Sequence, residues 1–469
     1  MCQYIAPQRL VFTVRMALGL LAIAVALILA ALPGRAAALE PEIPRSDLTT
    51  CFWTYVVGPA PAVNAIFPDE HAYIWHTWFV IPPGGSVVLH GSYPHARSIV
   101  FSTDTVETPY DVLRDEAIEP DPGSVNPFLP NADRNASERS YSLTVTSAPL
   151  PRNPSMRRPN TLYAGKELVS LFYREYVPDA GQDATGGAGL PALEYTPFGL
   201  GTSLTGSRAC VAVGAPLSRL PSESLPFALS LTTPAYLALL AQNPFSNTHP
   251  AVSPVRWYAW FNLARLAQPF LEGTLSAVTV PLLPIGREGP AANWEADSGI
   301  AYAYVDRNLG PARGGHNVLV LQGRKPTTPR TGQGQRVMEG GTQMRYWDIC
   351  QNDSIPLANY IDCLDDEEVP VDAAGNYTIV VSLPQDRPAD ATAACGVAWL
   401  DWGAVGDGIV RPTAGLLMLR NQDPSPSFTQ AIQNVGRPGE EQRVMGSYLP
   451  SGTYQSPPQF ERAHGCPTQ

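Results

Sequence analysis

Four of the seven histidines fall within 25 residues: His71, His76, His90 and His95. Imidazoles brought together from neighbouring strands can hold a transition metal or relay protons. Two histidines on one strand share a face only at an even spacing. His71 and His76 are five apart, as are His90 and His95, so each pair points to opposite faces of a regular strand. A metal site would need convergence from separate strands, and ordinary strand-end or surface histidines are the simpler expectation. For acid–base catalysis the residues to consider are His76, His90, His95 and Arg97.

Carboxylates gather in two loops. Asp365-Asp366-Glu367-Glu368 follows Cys363, and Asp115, Glu116, Glu119 and Asp121 surround a Pro-Gly turn. Extracellular calcium takes several carboxylates plus backbone carbonyls. Asp365, Asp366 and Glu367 have the charge for it, but no Asp-x-Asp-x-Asp-Gly pattern is present, and a solvated acidic loop is the alternative. As glycosidase carboxylates, any two would need a separation of roughly 5–9.5 Å. The aromatic group Trp53, Tyr55, Tyr73, Trp75 and Trp78 could stack a sugar or fill a core. Core is the expectation, with Tyr73 and Trp75 on one face and Trp78 on the other. Gly201 to Gly206 is one residue too long for a Gly-x-Ser-x-Gly elbow, and Thr185 to Gly189 lacks a following Lys-Ser/Thr. No cofactor is implied.

Six cysteines follow residue 38, and no CxxC pair occurs. An even number fits three disulfides, for which fifteen pairings exist. Cys350–Cys363 would close the acidic loop, Cys395–Cys466 would tie down the C-terminus, and Cys51–Cys210 follows by elimination. The N-terminus has the pattern of an export leader: Arg9 and Arg15, an uncharged run from Met16 to Leu32, then Ala36-Ala37-Ala38. Cleavage is expected after Ala38. An uncleaved signal anchor is the alternative and would be the only membrane attachment, so the protein is expected to be secreted, periplasmic or on the cell surface. Loss of Arg9, Arg15 and Arg35 with no acid takes the formal charge from −11 to −14. Such a chain should not seek nucleic acid or anionic lipid.

Forty-eight prolines and 39 glycines cut the sequence into short apolar runs that alternate or are β-branched. Tyr73 to Ile81, Ser98 to Ser102, Tyr141 to Thr146, Met344 to Cys350 and Tyr377 to Leu383 are examples. The fold class is mainly β: two jelly-roll-like or β-sandwich domains with a short helical connection. A weak internal repeat sets the plan. Arg97, Tyr141 and Leu168 to Arg174 recur in order as Arg345, Tyr377 and Leu416 to Arg420. The expected boundaries are a leader over 1–38, a first β-domain over 39–230, a helical connector over 231–285 and a second β-domain over 286–469. Pro234 to Gln242 and Pro254 to Leu271 have the helical spacing, with Trp257, Tyr258, Trp260 and Phe261 as anchors packing between the domains.

Ser92-Tyr93-Pro94-His95-Ala96-Arg97 and Asp121-Pro122-Gly123-Ser124-Val125-Asn126-Pro127-Phe128 resemble an exported bacterial family known only as paired N- and C-terminal β-domains of unknown function. Gly323 to Pro329, Arg345-Tyr346-Trp347 and Trp399-Leu400 resemble its second domain. The resemblance implies a jelly-roll-like fold and brings no catalytic residues with it. The resulting expectation is an exported or envelope-associated β-sandwich protein that binds a glycan or a small apolar ligand. A hydrolase or lyase acting on an envelope or extracellular polymer is the alternative.

Overall fold

The computed structural model describes residues 48–215, 250–260, 298–464 and 466, less 65–66, 105–108, 200, 334 and 355–358. The leader and its cleavage point lie outside these residues, as does the expected helix over 234–242. The first sandwich consists of β1 (Tyr55–Val57), β2 (Ala72–Val80), β3 (Ser86–Ser92), β4 (Ala96–Asp104), β5 (Pro109–Arg114), β6 (Ser140–Thr146), β7 (Thr161–Tyr163), β8 (Leu168–Pro178), β9 (Ala192–Thr196) and β10 (Leu204–Thr205). The second consists of β11 (Tyr258–Ala259), β12 (Ser298–Asp306), β13 (Val318–Arg324), β14 (Met344–Asn352), β15 (Tyr360–Asp365), β16 (Asn376–Ser382), β17 (Val397–Asp401), β18 (Ala414–Pro424) and β19 (Ser451–Gln455).

The second sandwich repeats the strand order of the first, except for β10. The sheet order β1-β2-β8-β4-β5 recurs as β11-β12-β18-β14-β15. The order β9-β3-β6-β7, with β10 added beside β9, recurs as β19-β13-β16-β17. In both halves the last pair of that sheet, β6 with β7 and β16 with β17, is parallel. Register recurs too: Val100 lies opposite Arg174 and Arg114, and Asp348 lies opposite Arg420 and Asp365. Three residues beyond Arg174 and Arg420, Val177 (φ 48°) and Asp423 (φ 45°) both enter the left-handed region that non-glycine residues avoid. The equivalences Arg97/Arg345, Tyr141/Tyr377 and Arg174/Arg420 therefore have a structural basis.

Alternation explains which faces are buried. In β6, Tyr141, Leu143 and Val145 point into the first core while Ser140, Ser142 and Thr144 point out. In β4 the alternation disappears, because both faces are covered. Ile99 and Phe101 enter the first core, while Val100 packs with Ala72, Tyr176, Val177 and Tyr346 in a seam between the sandwiches. β14 is likewise buried along its whole length, with Trp347 and Ile349 in the second core and Tyr346 in the seam. Trp53 and Trp75 are fully buried in the first core, Tyr73 stacks on Trp75, and Trp78 is 40% exposed. The aromatic group is therefore mainly core.

The helical expectation fails over 254–260. Tyr258–Ala259 is a strand paired with Tyr302 and Ala301 of β12. Trp257 enters the second core and donates its indole N–H to Pro450 O, while Tyr258 and Trp260 pack on the outer face of β12 and β18. Burial on both sides of a sheet edge overrides the helical spacing of these aromatics. The remainder of the expected connector lies outside the described residues. All three disulfides form as paired above. Cys350 and Cys363 are direct cross-strand partners, and Cys51 reaches Cys210 in α1 (Gly206–Ala212). Three such bridges indicate an oxidising compartment.

Candidate functional site

The seam contains a cluster of buried charges. Arg97 is fully buried, and its Nη1 donates to both carboxylate oxygens of Asp366, at 2.7 and 2.8 Å. Its Nη2 donates to Glu367, and its Nε to Thr331 Oγ1 at 2.7 Å. The repeat supplies the mirror contact: Arg345 Nη2 lies 3.3 Å from Asp115 and 3.7 Å from Glu116. Each acid is held by the backbone of its own half, Asp366 by the N–H of Trp347 and Asp115 by that of Ile99, both at 3.1 Å. Each then reaches the arginine of the other half. Tyr176 packs on Tyr346, and the repeat-equivalent pair, Gln422 and Ser98, also meets across the seam. Such reciprocity is the mark of a pseudo-two-fold interface. Burial pushes both Asp366 and Asp115 up to about 6, with the facing arginine opposing the shift.

One corner of the seam departs from this symmetry. His71, just before β2, places Nε2 3.2 Å from Glu368 Oε2, and Asp365 completes a group whose ligand atoms lie within 4.8 Å of one another. Asp365 Oδ1 accepts the N–H of Glu367 and of Glu368, which fixes its orientation. Behind the imidazole, the buried Asp69 accepts the His71 backbone N–H at 2.8 Å and the Tyr346 hydroxyl at 2.8 Å. Burial alone would lower the pKa of His71. Asp69 and Glu368 beside it override that effect and hold it well above the ordinary histidine value.

The four residues considered for catalysis do not meet. His76 bonds Ser170 Oγ at 3.0 Å and stacks on Phe172; burial and Arg174 push it down to about 3, so it is neutral. His90 sits on the other sheet, on its exposed face, between Ser142 and Glu194. His95 lies 2.6 Å from Arg139 Nη1, where burial and that guanidinium lower its pKa. Arg97 is committed to Asp366 and Glu367. The separation follows from the odd spacings and from the division of β2 and β3 between two sheets.

The calcium loop over Asp365, Asp366 and Glu367 is also not formed. Arg97 neutralises two of the three carboxylates, and Lys325 Nζ occupies the carbonyls of Asp366 and Val369 that a calcium ion would need. What the sequence reading missed is the role of Asp69 and Tyr346. The run Asp69-Glu70-His71 directly before a strand was the available signal.

On the far sheet of the second sandwich, an open cleft of about 740 Å³ crosses β13, β16 and β19 near α2 (Glu441–Met445). Gln322, Asn376, Thr378, Gln442, Ser447 and Ser451 supply amides and hydroxyls, and Tyr377 and Leu449 supply apolar surface. Gln322, Asn376, Gln442, Ser447 and Ser451 are exposed.

No protein-family model matches the sequence, and no curated protein matches it. Among solved structures the chain is similar to an uncharacterised protein from Burkholderia cenocepacia, with a TM-score of 0.41 and 11% identity over 85% of this chain and 80% of that one. It is also similar to the VPA0106 protein from Vibrio parahaemolyticus, with a TM-score of 0.36 and 10% identity over 82% of this chain and 89% of that one.

Proposed function

We propose that this chain is an exported β-sandwich binding protein that takes a neutral glycan in the cleft over β13, β16 and β19. The observation that carries this reading is the cleft lining, where exposed amide and hydroxyl groups from several strands converge on one concavity of ligand size. Such a surface matches the hydroxyls of a sugar and suits a small apolar ligand poorly. The acidic balance of the chain favours a neutral polymer over an anionic one. Export is supported by the leader pattern and by the three disulfides. In the seam, Arg97 and Arg345 are taken up by the carboxylates that face them.

The test is a neutral oligosaccharide array followed by calorimetry on the strongest hits. A Gln322→Ala, Gln442→Ala double variant is expected to weaken binding at least about tenfold, the loss of two hydrogen bonds. An array without hits, or a hit whose affinity the double variant leaves unchanged, overturns the proposal.

A further inference from the structure

We propose that His71, Asp365 and Glu368 form a zinc site that staples the two sandwiches together. His71 belongs to the first sandwich, and Asp365 and Glu368 to the second, so an ion held by all three bridges the seam. An imidazole with two carboxylates is a donor set for a borderline divalent metal, and zinc accepts three protein ligands and keeps a fourth position for water. Ligand atoms about 2.0–2.1 Å from a tetrahedral zinc stand roughly 3.3 Å from one another. His71 Nε2 and Glu368 Oε2 are 3.2 Å apart.

A second feature points the same way. His71 Nδ1 is shielded from solvent and makes no hydrogen bond, yet it faces the buried Asp69 Oδ1 at 3.6 Å. A metal on Nε2 requires the neutral ring, which then carries its proton on Nδ1, toward that carboxylate. A carboxylate behind the imidazole, itself anchored by the Tyr346 hydroxyl, is how metal-bound histidines are oriented. The repeat shows that the feature is one-sided. In register, the first-half equivalents of Asp365 and Glu368 are Arg114 and Ala117, which cannot bind a cation.

The experiment strips the purified full chain with EDTA and titrates zinc chloride by calorimetry and thermal melting. One zinc per chain and a zinc-dependent rise in Tm are expected. His71→Gln and Glu368→Gln should each weaken zinc at least about tenfold and remove the Tm rise, while Glu167→Gln, an exposed position at the opposite end of β2 from His71, leaves both intact. Glu368 is half exposed, so its variant tests the site even if His71→Gln fails to fold. Failure to take up zinc, or uptake that persists in Glu368→Gln, overturns the proposal. So does a calcium-induced Tm rise that equals that of zinc and survives His71→Gln.

Discussion

The two seam ion pairs occupy equivalent places in the repeat and differ in quality. Arg97 and Asp366 are both fully hidden from solvent and meet with two hydrogen bonds from one guanidinium nitrogen. Arg345 is 9% exposed, approaches Asp115 at 3.3 Å, and has as its second partner Glu116, which is 49% exposed. One interface thus contains the same contact twice, once dry and well aligned, once looser and wetter. The comparison teaches that geometry and desolvation, not the presence of an arginine and an acid, set what a buried pair contributes. Breaking a dry pair strands a charge where water cannot reach it.

Arg97→Met should therefore cost most, about 3–5 kcal/mol, because Asp366 is left buried and unpaired. Urea unfolding of the oxidised protein measures this, and a loss below that of Arg345→Met would reverse the ranking. Next comes the pH dependence of Asp115. Its folded-state pKa of about 6 lies above that of an unfolded aspartate, so its contribution to stability is present below about pH 4 and is lost as pH rises through 6. Asp115→Asn keeps the shape and removes the titration. Its stability should lose about 3 kcal/mol less than the parent between pH 4 and 7. Arg345→Met follows, at about 1–2 kcal/mol, since its contact with Asp115 is longer and its second partner, Glu116, is half exposed. Smallest is Gln442→Ala in the cleft, expected within about 0.5 kcal/mol of the parent in stability although it weakens ligand binding. A large unfolding effect there would make the cleft a structural element instead.

The sequence shows the strands and the repeat better than it shows the site. Short alternating runs and cysteine parity are local signals, and Arg97, Tyr141 and Arg174 recur at matching places as Arg345, Tyr377 and Arg420. Arg97 itself was identifiable as unusual, but its purpose was not: Asp366 stands 269 residues away, beyond any spacing rule. The same distance hides the meeting of His71 with Asp365 and Glu368, although all three lie in runs that attract notice by composition. Residues 254–260 mislead for the opposite reason. Their aromatics have a helical period, yet a sheet edge and two cores decide the backbone.

The reciprocal seam also changes how this molecule can vary. In a homodimer every substitution appears twice, once on each side of the axis, so a charge introduced at one contact must be tolerated at both. Here the two sides are encoded separately within a single chain, and dilution cannot part them because the second half is always present at a high effective concentration. Arg114 and Asp365 hold equivalent positions with opposite charge, an arrangement closed to identical subunits. Covalent linkage is what lets one side of a symmetric interface acquire chemistry that the other side lacks.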